Sequence, residues 1–291
     1  MTLWQFLQKS ILMKRFFALF FCLSCIGVSL PSWSQVRVDT LTYKNIDGVS
    51  LGMHVFYPVG WNSSDNRPAI VLFFGGGWNQ GSPSQFRPQA LELAGKGMVV
   101  FLPDYRIGKR YGTTPFESVS DARSAIRFVR GHAGMLGVDK EKIAAGGGSA
   151  GGHLALCCAM AGGVDNYGDD LRICCRPDLL VLFNPVVDTS PQGFGYGKIG
   201  ERYSEISPMD LDKGELPRFI IFHGKEDTVV SPESVKTFVS KARKAGVKCR
   251  LIIYKGQEHG FFNKKKNSDT YYRKTFEETV RFLEKNKFIK K

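Results

Sequence analysis

Gly147-Gly148-Ser149-Ala150-Gly151 is a G-x-S-x-G run placed directly after a short apolar stretch at Ile143 and directly before the helix-forming stretch Gly152 to Met160. A tight strand-to-helix turn forces its serine into a strained backbone and lifts the hydroxyl above the sheet, and small flanking residues avoid the clashes that side chains would make. The helix that follows points its N-terminus at the same spot, where free amides favour negative charge. Gly-rich turns of this shape also cradle phosphates. Here no lysine follows at the P-loop position and the second half of the dinucleotide pattern is missing. Ser149 is therefore the candidate nucleophile.

A serine hydroxyl is a weak nucleophile and needs a base to take its proton. His54 falls in an early strand, His132 at the end of a helix on the far side of the sheet, and His153 one helical turn beyond the serine, where the backbone carries it away from the hydroxyl. His223 ends a strand. His259 sits in Gly256-Gln257-Glu258-His259-Gly260, a loop after the last strand, and so reaches the carboxyl edge where sites on open α/β sheets form. The base expected is His259.

An acid must hold the imidazole in one tautomer and stabilise its protonated form. Asp227, just past the strand at Phe219, is the candidate, with Asp188 after the Leu179 strand as the alternative and Glu226 as the neighbour that could be confused with it. The fourth element is Phe74-Gly75-Gly76-Gly77-Trp78. Its unshielded amides at Gly76 and Gly77, with that of Ala150, could hold an oxyanion, an interaction worth about 3 kcal/mol per donor in a comparable hydrolase. Trp78 and Asn79 would line the adjoining pocket, and Phe194 and Tyr196 would reach in from the Gly- and Tyr-rich segment Asp188 to Pro208.

These groups need a sheet to carry them. Val36 to Tyr43 and Leu51 to Tyr57 read as an antiparallel opening pair. Buried-strand runs follow at Ala69 to Phe74, Met98 to Leu102, Ile143 to Ala145, Leu179 to Phe183, Phe219 to Phe222 and Leu251 to Tyr254. Between them, Val119, Ala122, Ile126 and Val129 recur at helical spacing, as do Val235, Phe238, Val239 and Ala242, and Tyr272, Phe276, Val280 and Leu283. The pattern predicts an α/β fold with a mostly parallel eight-stranded sheet and helices on both faces.

The chain of 291 residues, 43% hydrophobic, suits one large core, expected over 35–291. Residues 1–34 read as a secretory signal, with Met13 as a candidate start: Lys14 and Arg15 give a basic region, Phe16 to Leu30 an apolar run, and Ser32-Trp33-Ser34 a small-x-small cleavage site. The run falls short of the ~20 residues that span a bilayer. The expected product is secreted or periplasmic, with no stable membrane insertion. Cleavage would remove three cations, Lys9, Lys14 and Arg15, taking the formal charge from +13 to +10. An exported basic protein rarely meets nucleic acid as substrate, so solubility or acidic polysaccharide remains. Cleavage also leaves five cysteines, Cys157, Cys158, Cys174, Cys175 and Cys249. The two adjacent pairs flank one short segment that could fold back on itself, and adjacent thiols lack the spacing that chelates zinc. No metal or cofactor is expected.

With these elements in order, the chain resembles the α/β-hydrolase superfamily, most of all its exported carbohydrate esterases and related carboxylesterases. The resemblance runs from Leu41 to Leu283 through Phe73-Phe74-Gly75-Gly76-Gly77-Trp78, Gly148-Ser149-Ala150-Gly151-Gly152-His153, His223-Gly224 followed by Asp227, and Gln257-Glu258-His259-Gly260-Phe261-Phe262. The order serine, acid, histidine is that of the fold. The resemblance implies acyl-ester hydrolysis through an acyl-enzyme, on a small-molecule or polysaccharide ester, with feruloyl and acetyl-xylan esterases among the relatives. Lipase-like cousins usually carry histidine where this chain has Phe74, which weakens a lipase reading. A peptidase of the same fold would be expected to bring a gating domain for which the chain has no room, and a non-catalytic exported binding protein would be free to lose its base.

Overall fold

Alternation along the strands divides the molecule into two apolar layers. Val71, Phe73, Ala145, Leu180 and Leu182 face one core, while their neighbours Ile70, Leu72, Ala144, Val181 and Phe183 face the other. Successive side chains point to opposite faces of a pleated strand, so an unbroken apolar run is what a sheet covered on both sides requires. The computed structural model describes residues 36–265 and 268–290. The segment expected to act as a secretory signal lies outside the described residues.

The strands are β1 (Arg37–Ile46), β2 (Val49–Tyr57), β3 (Arg67–Phe73), β4 (Val99–Pro103), β5 (Val138–Gly148), β6 (Leu179–Phe183), β7 (Phe219–Gly224) and β8 (Cys249–Tyr254). They form one sheet in the order β1-β2-β4-β3-β5-β6-β7-β8. β2 runs antiparallel to both β1 and β4, and all other pairs are parallel. Helices Pro115–Gly131, Ala150–Met160 and Pro232–Lys244 send their apolar residues to the first core, and Arg87–Gly95 and Thr270–Lys285 to the second. Every residue of the three helical stripes predicted from the sequence is buried.

β5 is longer than its apolar run indicates. It continues through Gly146, Gly147 and Gly148, which pair with Val181, Leu182 and Phe183 of β6. A hydrophobic pattern cannot register residues without side chains, yet their backbones complete the ladder. On the other side Phe73 pairs with Gly147. The ends of β3 and β5 therefore stand side by side, and the two Gly-rich segments emerge next to each other.

Candidate active site

Ser149 occupies the junction of β5 and the helix Ala150–Met160, at φ 54° and ψ −119°. A non-glycine residue at positive φ costs on the order of 1–3 kcal/mol and persists only where its surroundings impose it. Here the Ser149 amide donates to the Phe183 carbonyl at 2.9 Å, and its own carbonyl accepts from His153 at 3.1 Å and Val186 at 3.2 Å. The turn leaves no room for side chains. A Cβ on Gly151 would lie 2.1 Å from the Phe73 carbonyl oxygen, and one on Gly147 would lie 2.5 Å from the same atom.

The Ser149 hydroxyl lies 2.9 Å from His259 Nε2, and His259 Nδ1 lies 2.7 Å from Asp227 Oδ2. The other Asp227 oxygen accepts the amides of Val229 and Val230, each at 2.9 Å. Burial pushes the Asp227 carboxyl up, but the His259 hydrogen bond and the Val230 amide outweigh it and leave its pKa below the ordinary value. A buried carboxylate held charged in this way can orient an imidazole and stabilise it when protonated. Asp188 is elsewhere, its carboxylate accepting the Ser190 amide at 2.9 Å.

The other histidines have separate settings. His54 meets the Thr40 hydroxyl at 3.1 Å and His132 the Phe128 carbonyl at 2.8 Å, both exposed. His153 is fully buried, with Nε2 2.7 Å from the Ile206 carbonyl, and burial holds its pKa at about 4. His223 lies behind Asp227 with Nε2 3.0 Å from the Val230 carbonyl, and burial lowers its pKa as well.

The N–H groups of Gly76, Gly77 and Ala150 find no acceptor among the described residues. The carbonyls of the same loop are engaged: Gly76 accepts from Asn79 and Gln80 at 3.1 Å each, and Gly77 from Lys198 Nζ at 3.0 Å. The Gly75 amide is taken by Gln85 Oε1 at 2.7 Å. Gly76 and Gly77 have φ of 123° and 59°. This backbone favours glycine and frees amides that an oxyanion would need.

Ser149 and His259 open into a cleft of about 230 Å³. Its apolar wall is Phe194, Val229 and Phe262, and its polar wall Gln85, Asn184 and Asn263. Phe194 thus reaches the cleft as expected from sequence, but Trp78, Asn79 and Tyr196 do not line it. Trp78 takes φ 56° and turns inward to 1% exposure, edge-on to His153 at 4.9 Å and 5.8 Å from Phe194. It supports the loop that carries Phe194. Asn79 points away, towards Gly108, and the Tyr196 hydroxyl is drawn off by Glu201 at 2.5 Å. Gln85, Asn184, Val229 and Asn263 were not expected from the sequence. Asn184 alone left a trace, standing directly after an apolar strand and before Pro185. It is fully buried at φ 37°, and its side-chain oxygen accepts the Gly260 amide at 3.1 Å, fixing the loop of His259.

The sheet order, the serine turn and the facing histidine loop define an α/β hydrolase. The BD-FAE family model matches residues 53–192, and the prolyl oligopeptidase family model matches residues 183–286. The chain is similar to a solved structure of Thermogutta terrifontis esterase 2 phosphoramylated by tabun. It shares 41% identity with a TM-score of 0.84 over 87% of this chain and 96% of that one. A propionate-bound structure of the esterase from the same species is 40% identical, with a TM-score of 0.83 over 90% and 98% of the two chains. A probable isoprenylcysteine alpha-carbonyl methylesterase of Arabidopsis thaliana is 30% identical over 217 residues, 66% of this chain and 51% of that protein. The chain spans about half the length of the curated relatives it matches. It belongs to the α/β-hydrolase esterase family.

Proposed function

We propose that the protein is a serine carboxylesterase that removes short acyl groups from small or carbohydrate esters through an acyl-enzyme. The observation that carries this reading is the unbroken chain Ser149 Oγ, His259, Asp227 at 2.9 and 2.7 Å, opening beside three unpaired amides. His259 Nε2 takes the hydroxyl proton as Ser149 Oγ bonds to the acyl carbon. The carbonyl oxygen becomes an oxyanion facing the amides of Gly76, Gly77 and Ala150. Collapse breaks the ester C–O bond, and the proton on His259 passes to the departing alcohol. Water then repeats the sequence, giving its proton to His259 and releasing the carboxylic acid as the serine recovers its hydrogen.

The size of the cleft supports a short acyl group. About 230 Å³ is below the range of pockets that enclose drug-sized ligands, and the related Thermogutta esterase has been solved with propionate. We further propose that the first 34 residues direct export and are removed, which N-terminal sequencing of the exported protein would test. The deciding experiment is a panel of acetyl, butyryl and feruloyl esters, each free and on polysaccharide, with Ser149→Ala as control. Turnover falling from acetyl towards feruloyl is expected, and Ser149→Ala turnover equal to the parent's would overturn the assignment. The match of residues 183–286 to the prolyl oligopeptidase family favours one second reading, a peptidase. Cleavage of a prolyl anilide with efficiency above that for the acetyl ester would select it.

A further inference from the structure

A second concavity, of about 440 Å³, opens at the other end of the sheet. Arg218 and Phe219 stand at the start of β7 and Lys248 and Cys249 at the start of β8, whereas Asp227 follows the far end of β7. Six residues of strand separate the two ends, roughly 20 Å at ~3.3 Å per residue. The groove is therefore not an extension of the catalytic cleft. It is nearly twice the size of that cleft.

Five cations line it, Arg218, Lys248, Arg250, Arg281 and Lys285, and among the described residues no acid does. Glu278 lies behind two of them, 2.6 Å from both Arg250 and Arg281, and Glu277 lies 3.3 Å from Arg281. Among the described residues the other three make no ion pair, and Arg218 spends one N–H on the neutral Asn286 side chain at 3.2 Å. Like charges gathered in a concavity repel one another and focus a positive potential into it, which an anion would relieve. Arginine presents a planar fork that matches carboxylate geometry.

The shape narrows the class of anion. A membrane surface needs a flat or protruding face, and this one is concave. Single-stranded nucleic acid would need several exposed rings to stack successive bases, whereas the groove offers one partly accessible ring, Phe282, with Phe219 fully buried. A half-buried ring at the wall of a cationic groove suits the C–H face of a sugar whose carboxylate reaches the arginines. From this arrangement we infer that the groove is a binding site for an acidic polysaccharide segment of the uronate type, separate from the ester-cleaving cleft. The site does not depend on the esterase reading, because binding is measured without turnover.

Titration calorimetry with an oligogalacturonate tests it on the full chain. The expected result is binding that weakens roughly tenfold between about 20 and about 300 mM salt, and that the combined Arg218→Gln, Lys248→Gln and Lys285→Gln variant loses by a similar factor. The three residues are exposed, so melting temperature and hydrolysis of a soluble acetyl ester should match the parent. Glu278→Gln, which removes the carboxylate paired with both Arg250 and Arg281, should tighten binding several-fold. Oligoglutamate and a DNA strand of equal charge should bind more weakly than the oligogalacturonate. Absence of binding at low salt, binding indifferent to the triple substitution, or an equal or greater affinity for oligoglutamate or DNA would each overturn the proposal.

Discussion

The side chain of Gln85 donates to that of Asn263 at 3.1 Å, bridging segments 178 residues apart in sequence. Each end of the bridge has a second hold. Gln85 accepts the Gly75 amide at 2.7 Å, and the Asn263 side chain donates to the Gly260 carbonyl at 2.9 Å. One polar wall of the cleft thus ties the Gly-rich loop to the loop of His259.

Cutting this tie should misplace the amides relative to the imidazole without removing either. A shift of about 1 Å at a reacting centre can cost on the order of 100-fold in rate. Gln85→Ala is therefore expected to lower kcat by about 10- to 100-fold with a smaller change in KM. Steady-state kinetics on an acetyl ester measure both. An unchanged kcat at an unchanged melting temperature would show that the bridge does not position the site.

Removal of the Ser149 hydroxyl has two separable effects. Ser149→Ala and Ser149→Gly should both lose about a thousandfold or more in turnover, since the amides remain while the covalent route is gone. They should differ in stability. At φ 54° glycine escapes a strain that alanine keeps, so Ser149→Gly should unfold at higher denaturant, by about 1 kcal/mol. Equal midpoints would mean that the turn relaxes when the hydroxyl is absent.

Asp227→Asn is nearly isosteric, yet its amide can present an N–H to the ring and favour the wrong tautomer. A comparable case costs ~10⁴ in rate. Asp188→Asn should retain most activity, because that carboxylate serves its own loop at Ser190. Matched circular dichroism and melting curves separate catalytic loss from unfolding. The opposite ranking of the two variants would move the acid to the end of β6.

Stability should fall on acidification in two stages. Burial keeps His153 at about 4 against its ordinary 6.5, with the Ile206 carbonyl opposing the shift. Between those values the unfolded chain binds a proton that the folded chain refuses. The stability attached to His153 is thus complete above 6.5 and lost as pH falls towards about 4, a total on the order of 3 kcal/mol. Asp227 adds a later stage: its folded value lies below the ordinary 3.8, so its contribution holds above 3.8 and goes as pH drops through the lowered value. Urea unfolding from about pH 7 to about pH 4 should show the first slope, and His153→Gln should reduce it to the part that the lowered pKa of His223 supplies. A slope unchanged in the variant would assign the loss to other groups.

Much of this was readable in the sequence. Six strands were marked by apolar runs and the first two as an antiparallel opening pair, and Ser149, Asp227 and His259 were singled out from turn chemistry and from their place after strands. What stayed hidden has physical reasons. Gly146 to Gly148 extend β5 through backbone pairing alone, which no hydrophobic pattern records. Trp78 was expected in the cleft because it adjoins the Gly-rich loop, but a positive φ sends its ring inward, and sequence does not specify that angle. Gln85 and Asn263 meet only because the chain folds, and neither sits in a motif.

The pairing of Phe73 with Gly147 fixes the Gly-rich loop and the Ser149 turn to one another through the ladder between β3 and β5. A slip of one residue would displace one of them by ~3.3 Å and turn its side chains to the wrong face, so the reacting geometry admits no graded adjustment. Phe194 and Val229 hang from loops outside that ladder. The molecule therefore separates a part that can only be kept or lost from a part that can drift by small steps, and variation in acyl preference should accumulate in the second while the first stays fixed.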